Sequence, residues 1–142
     1  MTEPQFFTTA GIGEWMLENR HYHQAVRIGD RVDISGQGGW DDEITFPEAL
    51  EDEIARTFDN VERALATAGA TLRDVVSVDS FHVADAPGVI DEAHGRFMVE
   101  QFRKRMGDRS PVWTMIGVAA LAAPGMRVEI RVTAVVGQAG PS

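Results

Sequence analysis

Near its end the chain alternates without a break: Val128, Ile130, Val132 and Ala134 are apolar, while Arg127, Glu129, Arg131 and Thr133 are polar. A period of two is that of a β-strand with one face in a core and the other in a polar setting. Ser110-Pro111-Val112-Trp113-Thr114-Met115-Ile116-Gly117-Val118 predicts another strand just upstream, and Ala122-Ala123-Pro124-Gly125 separates the two. They read together as a closing strand pair. The polar face of the second strand is either a solvated surface or one wall of a polar pocket.

The same patterning organises the rest. Gln24 to Ile28 and Arg31 to Ser35 flank Gly29-Asp30, a pair suited to a tight hairpin. Gly36-Gln37-Gly38-Gly39 then interrupts the alternation, where missing side chains let backbone approach backbone or ligand. A phosphate cradle is set aside, because no Lys-Ser/Thr follows and no helix starts at once. Thr45-Phe46-Pro47-Glu48 reads as a capping box, and Leu50, Ile54, Phe58, Val61 and Leu65 recur at helical spacing until Gly69. Residues 75–84, rich in β-branched side chains, predict a central strand. A second helix is expected after Asp85, with Pro87 in its first turn, Val89, Ala93, Phe97 and Phe102 on its buried side, and Gly107 as its stop. The expected order is β-β-β-α-β-α-β-β, an α+β domain with two helices packed on one face of one sheet.

A length of 142 residues suits one domain over residues 1–142. There is no cysteine, which excludes disulfides, thiolate nucleophiles and cysteine-ligated zinc. With 13 basic and 22 acidic side chains the net charge is −9, which works against neutralising nucleic-acid phosphates. The local basic group Arg103, Lys104, Arg105 and Arg109 is placed mostly where a helix ends, complementing its dipole. Met1 to Phe7 lacks the pattern of a secretory signal, and no apolar run approaches the ~18 residues of a membrane helix. The expectations are a cytoplasmic location and neither nucleic-acid nor membrane partners. Trp40, Trp113, Met115 and Ile116 are hard to bury in a small core, and such a patch implies association, most simply as a symmetric homo-oligomer.

Several segments carry a resemblance in order and spacing: Tyr22 to Asp30, Ser35-Gly36-Gln37, Ala68-Gly69-Ala70 with Leu72-Arg73-Asp74-Val75-Val76, and Val128-Glu129-Ile130. Together they resemble the reactive intermediate deaminase family, also called Rid, YjgF or L-PSP, over roughly residues 20–136. The resemblance implies a chorismate-mutase-like fold, a homotrimer forming a central barrel, and ligand clefts between subunits. It also implies hydrolysis of imines or enamines to a keto acid and ammonia, with no cofactor. The family's cleft tyrosine matches Tyr22 and its water-positioning glutamate matches Glu129. Its carboxylate-gripping arginine, in a Pro-Ala-Arg-Thr/Ser segment, falls on Trp113 within Pro111-Val112-Trp113-Thr114. A guanidinium fork binds a carboxylate bidentately, whereas an indole offers one neutral N–H and an apolar face.

The catalytic candidates are therefore Glu129 and Tyr22. Trp113, Met115, Trp40, Ser35, Gly36, His94 and Arg131 are the substrate-binding candidates. Trp113 is either interface core or a ligand contact. Arg131 shares the strand face of Glu129 and either reaches the cleft, pairs with Glu129 or meets solvent, the last two being preferred. His82 and His94 could each line a cleft as acid or base. His21 and His23 have a metal-compatible spacing on one strand face but no third ligand, so no metal is expected. Ser35 lacks a nucleophile elbow and reads as a strand-end residue near the pocket. Two readings stand: an enzyme hydrolysing or tautomerising an imine-like small molecule, or a non-catalytic trimer binding a small metabolite. An endoribonuclease role fits less well, for want of a basic aromatic platform.

Overall fold

The computed structural model describes residues 3–137. Six strands form one mixed sheet: β1 (Gln5–Phe7), β2 (Ala25–Ile28), β3 (Arg31–Ile34), β4 (Val75–Val83), β5 (Val112–Val118) and β6 (Val128–Val135). Three helices join them, α1 (Ile12–Arg20), α2 (Leu50–Thr67) and α3 (Glu92–Met106). The sheet order is β1-β2-β3-β6-β4-β5. All pairings are antiparallel except β4 with β5, which run parallel because α3 carries the chain back between them.

This order corrects the closing strand pair. β5 and β6 are not neighbours, since β4 lies hydrogen-bonded between them. Opposite Val78 stand Trp113 on one side and Val132 on the other, whereas Glu129 is opposite Phe81. Trp113 and Glu129 are thus two strands apart and three rungs out of step. They also point to opposite faces, because Trp113 shares the face of the buried Val78 and Glu129 alternates with the buried Val128 and Ile130.

The core lies between the sheet and α2 with α3. Ile54, Phe58, Val61 and Leu65 of α2 are essentially fully buried against Val32, Val78, Val128, Ile130 and Ala134, as the helical spacing predicted. Two helix starts differ from expectation. Thr45 is taken up by a turn in which its amide and hydroxyl both reach the Asp41 carboxylate, so α2 begins later, at Leu50. Likewise α3 begins at Glu92, capped by Asp91 accepting from the Ala93 amide. Pro87 and Val89 lie in the preceding loop, and Val89 is exposed rather than core. Gly69 and Gly107 both follow helix ends with positive φ, at 81° and 61°.

Two departures carry physical information. The helix α1 was not foreseen: it has nine residues, begins after Gly11, and buries only Ile12 and Gly13. Of its other apolar side chains, Trp15 and Met16 line a surface cavity, so no core-facing stripe marks it. Arg127 belongs not to the polar strand face but to the helix side. There its Nε donates to Glu53 Oε1 at 2.6 Å and its amide to Oε2 at 2.7 Å. Glu53 is completely buried in α2, a pairing that fastens α2 to the entry of β6.

Glu53→Ala removes the buried carboxylate and leaves the Arg127 amide unpaired, while the partly exposed guanidinium keeps the Pro47 and Glu48 carbonyls. A cost of about 1–2 kcal/mol is therefore expected in urea unfolding. A loss below about 0.5 kcal/mol would show that water replaces the carboxylate without penalty.

Candidate functional site

A loop and a short helix close over one end of the uncovered sheet face. After β3 the chain runs through Ser35 and Gly36 to Gln37, whose backbone exchanges two hydrogen bonds with Ile130 at 2.8 and 2.9 Å. Asp33 pairs with Thr133 and Gln37 with Ile130, so the β3 side carries one extra residue, a bulge. The bulge lays Gly36 directly on Glu129: a Cβ at Gly36 would stand 2.6 Å from Glu129 Oε2. Only glycine leaves room for that carboxylate.

The cavity formed here has a volume of ≈ 240 Å³. Tyr22, Gly36, Trp40 and Glu129 line it, together with Trp15, Met16 and Arg20 from α1. Four sequence candidates therefore converge. The α1 residues were missed; the signal in retrospect is two apolar residues and an arginine on a segment too weakly amphipathic to serve the core. Arg20 lies over the Trp15 ring, 5.1 Å from guanidinium carbon to centroid, and so presents a cation on an aromatic wall.

Trp40 is buried rather than part of an exposed patch, packed with Ile12 and Met126 beneath the cavity. Its position is set by Asn60, whose Nδ2 donates to the carbonyls of Gly38 and Trp40 at 2.7 and 2.9 Å. The indole Nε1 of Trp40 is itself buried with no partner among the described residues. Above it, Gln37 Nε2 donates to Gln24 Oε1 at 2.8 Å, a buried amide pair that holds the loop from beneath.

Electrostatically the site is unusual in its carboxylate. Glu129 has no hydrogen bond or ion pair to its carboxylate among the described residues. Burial raises its pKa above the ordinary glutamate value, and the Arg131 charge only partly offsets this. Arg131 instead pairs with Asp79 across β4 at 3.1 Å and lies over Phe81. Pairing of Arg131 with Glu129 is thus not what the fold builds. Burial, then the nearby Glu129 charge, raises the Tyr22 phenol above its usual range, so it remains a donor.

The other candidates lie elsewhere. Ser35 donates to the His23 carbonyl at 2.7 Å and lines a neighbouring cavity with Phe6, His21 and Tyr22. His21 caps α1 in a left-handed conformation and His23 precedes β2, so the two do not share a strand face as expected. His94 is buried against His82 under the sheet, away from the Glu129 cavity. Trp113 and Met115 are half-buried on the helix-side face of β5, and the Trp113 ring meets Phe102 edge-on at 5.1 Å. Within one chain, Trp113 and Glu129 share no cavity.

A family model described as Endoribonuclease L-PSP matches residues 16–136. The chain belongs to this family, the Rid/YjgF family. It is 32% identical over 134 residues to the RutC family protein YjgH of Escherichia coli, covering 94% of this chain and 96% of that protein. It is 35% identical over 115 residues to a 2-iminobutanoate/2-iminopropanoate deaminase of Dermatophagoides farinae, covering 77% and 80%. The solved structure of YJGH superposes with a TM-score of 0.78 at 30% identity, covering 94% of this chain and 97% of that one. The three helices and mixed six-stranded sheet are those of the Rid fold.

A carboxyl with a raised pKa weakens folding as pH rises, because the unfolded chain ionises first. Replacing Glu129 by Gln removes that penalty. Glu129→Gln is expected to be more stable than the parent at neutral pH, with the gap closing as pH falls below the ordinary glutamate range. Thermal melts across pH 3.5 to 8 read this directly, and a constant gap would mean that Glu129 does not titrate as the fold implies.

Proposed function

We propose that the chain hydrolyses an imine- or enamine-like small molecule in a cleft completed between copies of a homotrimer. The observation that carries this reading is the Glu129 carboxylate, half-buried and unpaired in a cavity that also holds the Tyr22 hydroxyl. Glu129 takes a proton from water as the water oxygen bonds to the C=N carbon. It returns that proton to nitrogen to give a carbinolamine, then carries the carbinolamine hydroxyl proton to the same nitrogen as the C–N bond breaks, so that ammonia leaves and a carbonyl remains. Tyr22 donates a hydrogen bond within the same cavity. The relative named as an iminobutanoate/iminopropanoate deaminase supports this reaction class.

Exposed apolar surface supports an assembly that supplies a second wall. β5 is an edge strand, and Val112 and Ile116 on it are 69% and 37% exposed. Phe6 and Ile28 add exposed apolar surface on the same uncovered sheet face. Edges of this kind pair or are covered. A neighbour docked there brings its own Trp113 and Met115 near the Glu129 cavity, joining candidates that one chain keeps apart.

A second reading, a trimer that binds a small metabolite without turning it over, is favoured by Trp113, which supplies no charge for an amino-acid-derived carboxylate.

Imino acids generated in place by an amino-acid oxidase separate the two. Hydrolysis predicts faster ammonia release, reduced about 10²–10⁴-fold in Glu129→Gln. Without acceleration, binding alone remains. Gain of activity toward 2-iminopropanoate in Trp113→Arg would identify residue 113 as the selector. Light scattering is expected to give a trimer, and a monomer would remove the shared cleft.

A further inference from the structure

Beneath β5 runs a buried polar chain. Trp113 Nε1 stands 2.8 Å from Ser80 Oγ, Ser80 Oγ is 2.8 Å from His82 Nε2, and His82 Nδ1 is 2.8 Å from His94 Nδ1. Ser80 and His82 are completely buried and His94 is 2% exposed. The two imidazoles meet nearly perpendicular, at 86°.

The hydrogens can be assigned from the chemistry of the groups. An indole N–H only donates, so the serine oxygen accepts from Trp113. If His82 carried its proton on Nε2, Ser80 would accept twice and its own hydrogen would have no acceptor among the described residues. A buried unpaired hydroxyl is costly. If His82 carries its proton on Nδ1, every hydrogen lying between the four groups has an acceptor. Ser80 then donates to His82 Nε2, His82 donates to His94 Nδ1, and His94 keeps its hydrogen on Nε2. The chain runs one way, from Trp113 to His94.

Both rings are therefore neutral. Burial, then the neighbouring imidazole, pushes His82 down to about 4, and burial also lowers His94. The charged groups acting on His94 from surrounding elements are Asp85, Asp91, Arg127 and Glu53.

We propose that Ser80, His82 and His94 are positioning residues that spend the Trp113 N–H inside the protein and fix the indole as a flat platform for the unsaturated ring of an acidic ligand. The proposal rests on the reading of Trp113 as part of the ligand cleft. Beside the indole is a cavity of ≈ 200 Å³ lined by Val99, Phe102, Arg103, Arg109, Pro111 and Trp113. Neither Arg103 nor Arg109 has a carboxylate partner among the described residues. Residue 113 thus offers a ring face, and the acid group is read by the guanidinium groups beside it. The anchor is displaced, not deleted.

Nuclear magnetic resonance of the unliganded protein tests the chain first. Long-range proton–nitrogen spectra are expected to show His82 protonated on Nδ1 and His94 on Nε2. The Trp113 indole hydrogen should exchange at least about tenfold more slowly than that of the exposed Trp15, faster in Ser80→Ala, and slowly again in Ser80→Thr. His82 protonated on Nε2, or a Trp113 signal that Ser80→Ala leaves unmoved, overturns the proposal.

Benzoate and cyclohexanecarboxylate then hold charge constant and vary only flatness. The parent is expected to prefer benzoate about fivefold, Ser80→Ala to lose the preference and Ser80→Thr to regain it, while Arg109→Gln weakens both acids alike. An intact chain with a preference that Ser80→Ala does not change refutes the platform but leaves the cleft standing. Binding of either acid that Trp113→Ala does not weaken removes Trp113 from the cleft, and the platform with it. The same holds if neither acid binds.

Discussion

Two backbone hydrogen bonds between Gln37 and Ile130 govern the site. They extend the pairing of β3 with β6 past the regular ladder, at the cost of one unpaired residue. That offset brings backbone without a side chain against Glu129. The carboxylate is consequently shielded from water without being given a cation. A side chain at Gly36 would push it outward, and a regular ladder would re-aim the loop. The raised proton affinity of Glu129 follows from strand register rather than from any charged neighbour.

Local structure was legible where one force acted alone. The apolar stripe of helix α2 and the alternation of strand β6 declare themselves through period and are where the pattern put them, because each buries a single face. Glu129, Tyr22 and Gly36 were singled out through a resemblance spread over short segments and Trp40 as an apolar side chain hard to bury, and the fold brings the four to one cavity. What escaped the sequence was relational. Nothing in the alternation of β5 and β6 says that β4 lies between them; strand order is settled by α3 returning the chain parallel to β4. Arg127 illustrates the same limit, since its place in the alternating run suggested the polar face, and the buried Glu53 drew it to the other side. Helix α1 escaped for a different reason, serving a cavity rather than the core.

Trp113 links these themes. Read as a missing arginine, it left residue 113 without a charge for a carboxylate. Seen in the fold, its N–H ends on Ser80, Ser80 on His82, and His82 on His94. Three polar side chains beneath one aromatic ring are expensive to bury unless each is satisfied. The indole N–H supplies the donor that the Ser80 oxygen would otherwise lack.

Helix α1 supplies one wall of the Glu129 cavity yet has little holding it. Its start is tied by the Ile12 amide to Asp42 at 3.1 Å, the carbonyl before it accepts from Arg63, and only Ile12 and Gly13 are buried. Segments of this kind open locally at a fraction of the free energy needed to unfold the sheet. The two walls therefore differ in stiffness, one made by a β-ladder and one by a lightly moored helix. If the cavity takes a ligand as proposed, different bulk would be met by moving α1 while Glu129 stays still, and part of the binding free energy would go into holding that helix down. Changes in α1 could retune ligand choice with little effect on the core.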